Sequence, residues 1–229
     1  MKGTFVNVAA VLLGGGLGLL VGSRLPERLR DIITDGLGLA TMLIGLRLAL
    51  KADNMLIVIG SLVAGGLLGE WWNLERRLED AGAWLKARTG PRAPEGERRF
   101  VAGFVTASLV YCVGPMTIVG SIQAGIDGKV EVLYAKSMLD GAASVAFASS
   151  LGVGVLFSAL TVLIVQGGLT LLGSQLTFLL DPRILNEVTG TGGALILGIG
   201  LLLLEIRRLR IANFLPALPI AAALAALAR

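Results

Sequence analysis

The chain has 229 residues, 55% hydrophobic and 16% charged, with a mean hydropathy of +0.80 and a formal net charge of +4. That much apolar surface has no place in a water-soluble domain. The apolar residues fall in long continuous runs without alternation, which excludes a transmembrane β-barrel and leaves an all-α, polytopic membrane protein. With no histidine and one cysteine, Cys112, the chain has no internal disulfide, no histidine-ligated metal or haem, and no Ser–His or Cys–His catalytic pair.

The first run, residues 3–23, is long enough to span a bilayer, which takes about 20 apolar residues. Only Lys2 precedes it and no clean small-x-small cleavage site follows, so it reads as a first helix and not as a signal peptide. The second and third runs cover 33–50 and 54–72. Thr34 and Asp35 precede the second helix, where a carboxylate suits the positive end of the helix dipole.

Residues 73–99 form the one long connection. In WWNLERRLEDAGAWLKAR, Leu74, Leu78, Ala81 and Leu85 recur at helical spacing with charges on the other face. Trp71, Trp72 and Trp84, the only tryptophans, gather in the same stretch. An amphipathic helix at the membrane surface is predicted, followed by a loop over TGPRAPEGERR.

The fourth run, 100–124, brings Thr106, Ser108, Tyr111, Cys112, Thr117, Ser121 and Gln123 to membrane depth, with Gly114 and Pro115 mid-span. Proline removes a backbone donor and obstructs the carbonyl four residues earlier, so a kink or break is predicted there. Two readings stand: freed carbonyls that meet a cation or solute, or a packing kink.

The fifth run, 132–148, holds Lys136 and Asp140 on one helical face, flanked by Ser137 and Ser144. Ionisable groups inside a membrane are rare, and they are paired or face water. Either the pair lines a path for an ion, proton or anionic solute, or Lys136 snorkels to the interface and Asp140 caps the segment before Gly141. Ser149, Ser150, Gly152 and Gly154 mark a turn into the sixth run, 150–174. Runs 188–206 and 211–228 complete the chain, with Asn186, Glu187 and Thr189 opening the seventh.

Thirteen of the twenty basic residues lie in three connections, 24–31, 73–99 and 207–210. The excess of Lys and Arg on cytoplasmic loops places these inside, with 73–99 cytoplasmic and both termini outside, if 132–174 crosses twice and the chain makes about eight crossings. A re-entrant element at 132–148 is the other count.

Segments 33–50 and 188–205 resemble each other in one register: Thr34/Thr189, Gly38/Gly193, Ile44/Ile199, Gly45/Gly200, Leu46/Leu201 and Leu48/Leu203 are identical. Asn54 with Leu56 matches Asn213 with Leu215, and Gly15-Gly16 with Gly22-Ser23 matches Gly167-Gly168 with Gly173-Ser174. The expected organisation is one integral membrane domain, 1–229. Within it, 1–72 and 149–229 are three-helix repeats, 73–99 the cytoplasmic segment, and 100–148 a central polar pair of helices. An odd number of crossings separates the units, so they run in opposite directions, as in many secondary transporters.

FVAGFVTASLVYCVGPMTIVGSIQAG, LYAKSMLDG, LGVGVLFSAL, the late ANFLPAL and the opening GTFVNVAAVLLGGGLG resemble the YqgA/YdfK-like family of uncharacterised prokaryotic multi-pass membrane proteins, over essentially the whole chain. Pro115 departs from the small residue that the family leads one to expect there, so the proline break is particular to this chain. The resemblance implies a multi-pass protein of the bacterial cytoplasmic membrane and supplies no activity or site residues.

The expected function is a small secondary transporter or ion-conducting protein. Its path is expected to use Lys136, Asp140, Ser144, Thr106, Ser108, Cys112, Gly114, Pro115, Thr117 and Gln123, with Thr34, Asp35, Asn186, Glu187 and Thr189 flanking it. A scaffold acting through basic segment 73–99 is the alternative. No phosphate loop, dinucleotide fingerprint or metal-ligand spacing appears, so neither an enzyme nor a cofactor or metal is expected. The expected partners are the lipid bilayer, a small solute or ion and a second copy in a homodimer, with no nucleic acid.

Overall fold

The computed structural model describes residues 1–78, 80, 94–207 and 209–228, with the backbone alone over 94–98. Among them there is no strand. The helices are α1 (Lys2–Gly22), α2 (Glu27–Ala49), α3 (Met55–Trp71), α4 (Pro94–Cys112), α5 (Pro115–Ile126), α6 (Glu131–Leu151), α7 (Gly154–Leu171), α8 (Pro182–Leu203) and α9 (Ala217–Leu227). Short 3-10 turns at Thr177–Leu180 and Ile211–Phe214 precede α8 and α9.

Local chemistry accounts for the boundaries. Asn54 caps α3 by accepting from Leu56 N at 3.0 Å, and Asp181 caps α8 by accepting from Arg183 N at 2.9 Å, with Pro182 in the first turn. Gly152, at φ 81° and ψ −155°, separates α6 from α7 in a conformation open essentially to glycine alone. Gly114 is extended (φ −65°, ψ 150°) because the ring of Pro115 disfavours a helical residue before it. Pro115 then restarts the helix, and the two pieces meet at 59°.

Small residues set which helices touch. On α1, Gly14, Gly18 and Gly22 lie one turn apart and pack on the backbone of Gly141, Val145 and Ser149, so α1 and α6 run side by side in parallel. α2 and α8 pack antiparallel: Gly45 meets Gly193 and Leu197, Gly200 meets Gly38 and Met42, Gly193 meets Ala49, and Gly38 meets Leu204. α4 lies parallel to α7, with Gly154 on Phe100 and Gly103 on Leu151 and Val155. α3 and α9 are antiparallel through Gly65 on Ala217 and Gly69 on Asn213.

The helices thereby run between two ends. One end gathers Gly22, Arg99, Ser150 and Glu205 with Glu70 and Arg210, and is rich in arginine. The other gathers Gly3, Leu133, Thr170, Asp53 and Glu187. Tyr111, Ile122, Leu133, Ile196 and Ile199 are wholly buried between them, while Leu13, Leu43, Leu56 and Met138 project outward.

Helices stand where the eight apolar runs lie, but length and apolarity qualify fewer as crossings. Among the described residues α1, α2, α7 and α8 are each long and apolar enough, and Arg99–Cys112 with Pro115–Ile126 makes a fifth if taken as one bent span. α3 has 17 residues and α9 with its preceding turn is likewise short. α6 carries Glu131, Lys136 and Asp140, which lower its hydropathy.

Some expected boundaries move. α2 begins at Glu27, so Thr34 and Asp35 lie inside it, two turns from its start, and do not cap it. α8 begins at Pro182, which puts Asn186, Glu187 and Thr189 in its first two turns. α4 begins at Pro94, inside the expected loop. Of the predicted surface helix, residues 74–78 are helical and follow Asn73, which turns the chain at φ 52°. Ala81, Trp84 and Leu85 lie outside the described residues.

Candidate functional site

The charged pair predicted on the fifth run lies on α6, which continues straight through Gly141, so Asp140 caps nothing. Lys136 is 4% exposed and Asp140 7%. Lys136 therefore does not snorkel to water, and its ammonium pairs with Asp140 Oδ2 one turn along. The glycine stripe of α1 makes this burial possible, because it brings the α1 backbone against α6 beside Asp140.

Two carboxamides that the sequence reading passed over complete the cluster. Asn7 of α1 and Gln166 of α7 are wholly buried. Asn7 Nδ2 donates to Asp140 Oδ2 at 2.9 Å and to Gln166 Oε1 at 2.8 Å. Asn7 Oδ1 and Gln166 Nε2 have no partner among the described residues. Each is the single carboxamide of its helix, within an apolar run. One turn nearer the end of the bundle, the Thr4 and Thr170 hydroxyls meet at 3.5 Å.

On the other side of the pair, the Tyr111 hydroxyl and Ser144 Oγ share a hydrogen bond of 2.8 Å, and Lys136 Nζ lies 5.9 Å from the centre of the Tyr111 ring. An ammonium over an aromatic face is attracted to its π electrons, more so when desolvated. Ser137 Oγ donates to Leu133 O and stays within its own helix. The result is a buried polar string: Thr4 and Thr170, then Asn7, Gln166, Asp140 and Lys136, then Tyr111 and Ser144.

The Gly114–Pro115 break supports this string without opening it. The carbonyl that proline frees, Tyr111 O, accepts from Thr117 Oγ1 at 2.7 Å. That favours the packing reading for this carbonyl, and it fixes Tyr111 beneath the pair. Gly114 faces open space where a side chain would be. Ser108 Oγ donates to Thr161 Oγ1 at 3.0 Å and ties α4 to α7. Thr106 and Ser121 are buried, their hydroxyls without a partner among the described residues. Cys112 is a half-buried free thiol and Gln123 is half-buried farther along α5.

The flanking candidates are not brought to the pair. Thr34 Oγ1 donates to Arg30 O, and Thr34 and Asp35 line a cavity of about 740 Å³ at the arginine-rich end. At the opposite end Glu187, 3% exposed, accepts from the backbone N–H groups of Asp53 and Asn54 at 3.0 and 2.7 Å. It serves the N-terminus of α3, a neighbour in space, and not its own helix. Asn186 Nδ2 donates to Asp53 Oδ2 at 2.9 Å, and Thr189 Oγ1 is buried without a partner among the described residues. Among the described residues no three Cys, Asp or Glu side chains stand close enough to hold a metal ion.

Comparison with known proteins agrees with the resemblance read in the motifs. A family model described as "Protein of unknown function (DUF554)" matches residues 2–226. The "Uncharacterized protein YqgA" of Escherichia coli (strain K12) is 34% identical over 226 residues, which is 98% of this chain and 96% of that protein. The "Uncharacterized membrane protein YdfK" of Bacillus subtilis (strain 168) is 29% identical over 223 residues, 95% of this chain and 93% of that one. No solved structure matches.

Proposed function

We propose that this chain, which belongs to the DUF554 family of proteins of unknown function, is a small secondary transporter or ion-conducting protein whose path follows the polar string between α1, α4, α6 and α7. The observation that carries this reading is the half-satisfied cluster around Asp140. A purely structural buried ion pair is stable when every donor and acceptor around it is used. Here an acceptor (Asn7 Oδ1) and a donor (Gln166 Nε2) are buried with no partner among the described residues, at about 1–3 kcal/mol each. Such a cost is sustained where a passing solute, ion or water completes the bonds.

An inverted repeat suits this reading. Contacts between α2 and α8 exchange with one another when each residue is replaced by its repeat partner. Gly45 on Leu197 becomes Gly200 on Met42, and Gly193 on Ala49 becomes Gly38 on Leu204. Gly45 on Gly193 becomes Gly200 on Gly38. An antiparallel pair with self-complementary contacts is what a pseudo-twofold axis in the membrane plane produces. On this reading all eight apolar segments cross, the arginine-rich end faces the cytoplasm, and no catalytic chemistry is involved.

The test is flux in proteoliposomes across a panel of protons, alkali cations and small solutes, wild type against Asp140→Asn. The reading expects flux in the wild type and at least a tenfold loss in the variant. Flux that Asp140→Asn leaves intact removes the pair from the path, and no flux over the whole panel removes the transporter reading.

A further inference from the structure

The atoms around Asp140 have a second self-consistent arrangement. Asn7 Nδ2 uses both of its N–H donors, one on Asp140 Oδ2 at 2.9 Å and one on Gln166 Oε1 at 2.8 Å. Asn7 Oδ1 and Gln166 Nε2, the other ends of the two amides, have no partner among the described residues. A carboxamide carries an acceptor at one end and two donors at the other, so turning it over exchanges them. The partnerless ends leave both amides free to turn, because no bond has to break there.

The arrangement seen suits an ionised Asp140. A carbonyl turned toward the carboxylate sets lone pair against lone pair. Turning either amide alone also brings like ends together, Asn7 Oδ1 to Gln166 Oε1 or Gln166 Nε2 to Asn7 Nδ2. The two therefore turn only as a pair, and only once Asp140 has a proton to donate. Asp140 Oδ2 then donates to Asn7 Oδ1, and Gln166 Nε2 donates to the same oxygen. Two bonds are lost and two are made, so the proton alone decides which arrangement holds.

From this reversibility we infer that the ion taken up at this site is a proton, bound at Asp140 Oδ2 and answered by the joint reversal of Asn7 and Gln166. Resting on the transporter reading, it names the ion that the path carries. The proton comes from water and forms the new O–H bond. Lys136, which pairs with Oδ2, passes to Oδ1 and keeps its own protons over the Tyr111 ring. The charge of the pair thus rises from zero to +1. Packing favours this class of ion: Asn7, Gln166 and Tyr111 are wholly buried, and partners in contact at hydrogen-bond distance admit a proton without a cavity. Hydroxyls continue the string on both sides, at Thr4 with Thr170 and at Tyr111 with Ser144.

Among the described residues the ionisable groups that face Asp140 are Lys136 on its own helix and Tyr111 and Cys112 on α4. α5 and α7 have no ionisable side chain, and α1 has only Lys2 at its start. α2 also touches α6, but its charges lie at the arginine-rich end and at exposed Arg47.

The experiment reads the amides and the acid separately in the purified, solubilised full chain. Glutamine is isotope-labelled for nuclear magnetic resonance, and Gln166→Met picks out the Gln166 signal from those of Gln123 and Gln175. On acidification the Gln166 Nε2 protons are expected to shift as they gain an acceptor. A protonated-carboxyl stretch is expected to rise in the infrared over the same pH range. Asp140→Asn is expected to abolish both responses. Asn7→Leu leaves every charge in place, and it keeps the test decisive where the charge variant unfolds. It is expected to retain the carboxyl band and silence Gln166. Four results overturn the inference: a carboxyl band with no Gln166 response, a Gln166 response that survives Asn7→Leu, no carboxyl band that depends on Asp140, or the same changes driven by sodium at constant pH. Both responses without proton flux keep the proton site and remove the transporter. Flux of another ion with neither response removes this inference alone.

Discussion

Breaking the Lys136–Asp140 pair separates its electrostatic contribution from simple packing. Asp140→Asn keeps the shape of the side chain and removes its charge. Lys136, with 5% of its side chain exposed, is then left as an ammonium without a counter-charge. The Tyr111 ring at 5.9 Å offsets part of this, worth about 0.5–2 kcal/mol. Removing one partner of a buried pair costs about 3–5 kcal/mol, so a net loss of about 3 kcal/mol is expected. Lys136→Met leaves Asp140 with Asn7 Nδ2 as its remaining donor, and a similar loss follows. In the double variant neither charge is stranded, so its loss is expected to fall short of the sum of the two by about 2 kcal/mol or more. The assay is reversible unfolding of the solubilised protein, run as a double-mutant cycle. Additivity of the two substitutions to within about 0.5 kcal/mol, or single losses below about 1 kcal/mol, would refute the idea that the two buried charges depend on each other.

Two further tests address the frame that buries the pair. Gly18→Leu drives a side chain into the backbone of Val145 and Ser144, and is expected to destabilise by about 3 kcal/mol or more. Gly16→Leu, two residues away and facing open space, is expected to stay within about 0.5 kcal/mol of wild type, and thermal unfolding of both variants checks the contrast. Gly152→Ala forces a Cβ onto a residue at φ 81° and is expected to cost about 1–3 kcal/mol, read as a lowered midpoint in the same assay.

Much of the frame was legible because it is written locally. Pro115 dictates a break from within its own turn, Gly152 marks the turn between α6 and α7, and Lys136 and Asp140 meet because they are one turn apart. The rest depended on neighbours distant in sequence. Thr34 and Asp35 read as a helix start because the charged residues before them masked a helix that already begins at Glu27. Glu187 read as serving its own helix, whereas the acceptor of two backbone N–H groups from Asp53 and Asn54 is decided by how α8 lies against α3. Asn7 and Gln166 carried a signal, a lone amide in an apolar run, but no periodicity links residues so far apart.

By itself, then, the sequence determined the all-helical class, the position of each apolar segment, the interruption at Pro115 and the i,i+4 spacing of Lys136 and Asp140. These follow from hydropathy, backbone sterics and helical spacing, which act within a few residues. Only the tertiary structure decided that Lys136 is buried and not snorkelled, that Asn7 and Gln166 join Asp140, and that Asp35 and Glu205 border one cavity. Those facts depend on which helices approach, and the approach is set by small residues whose partners lie on other segments.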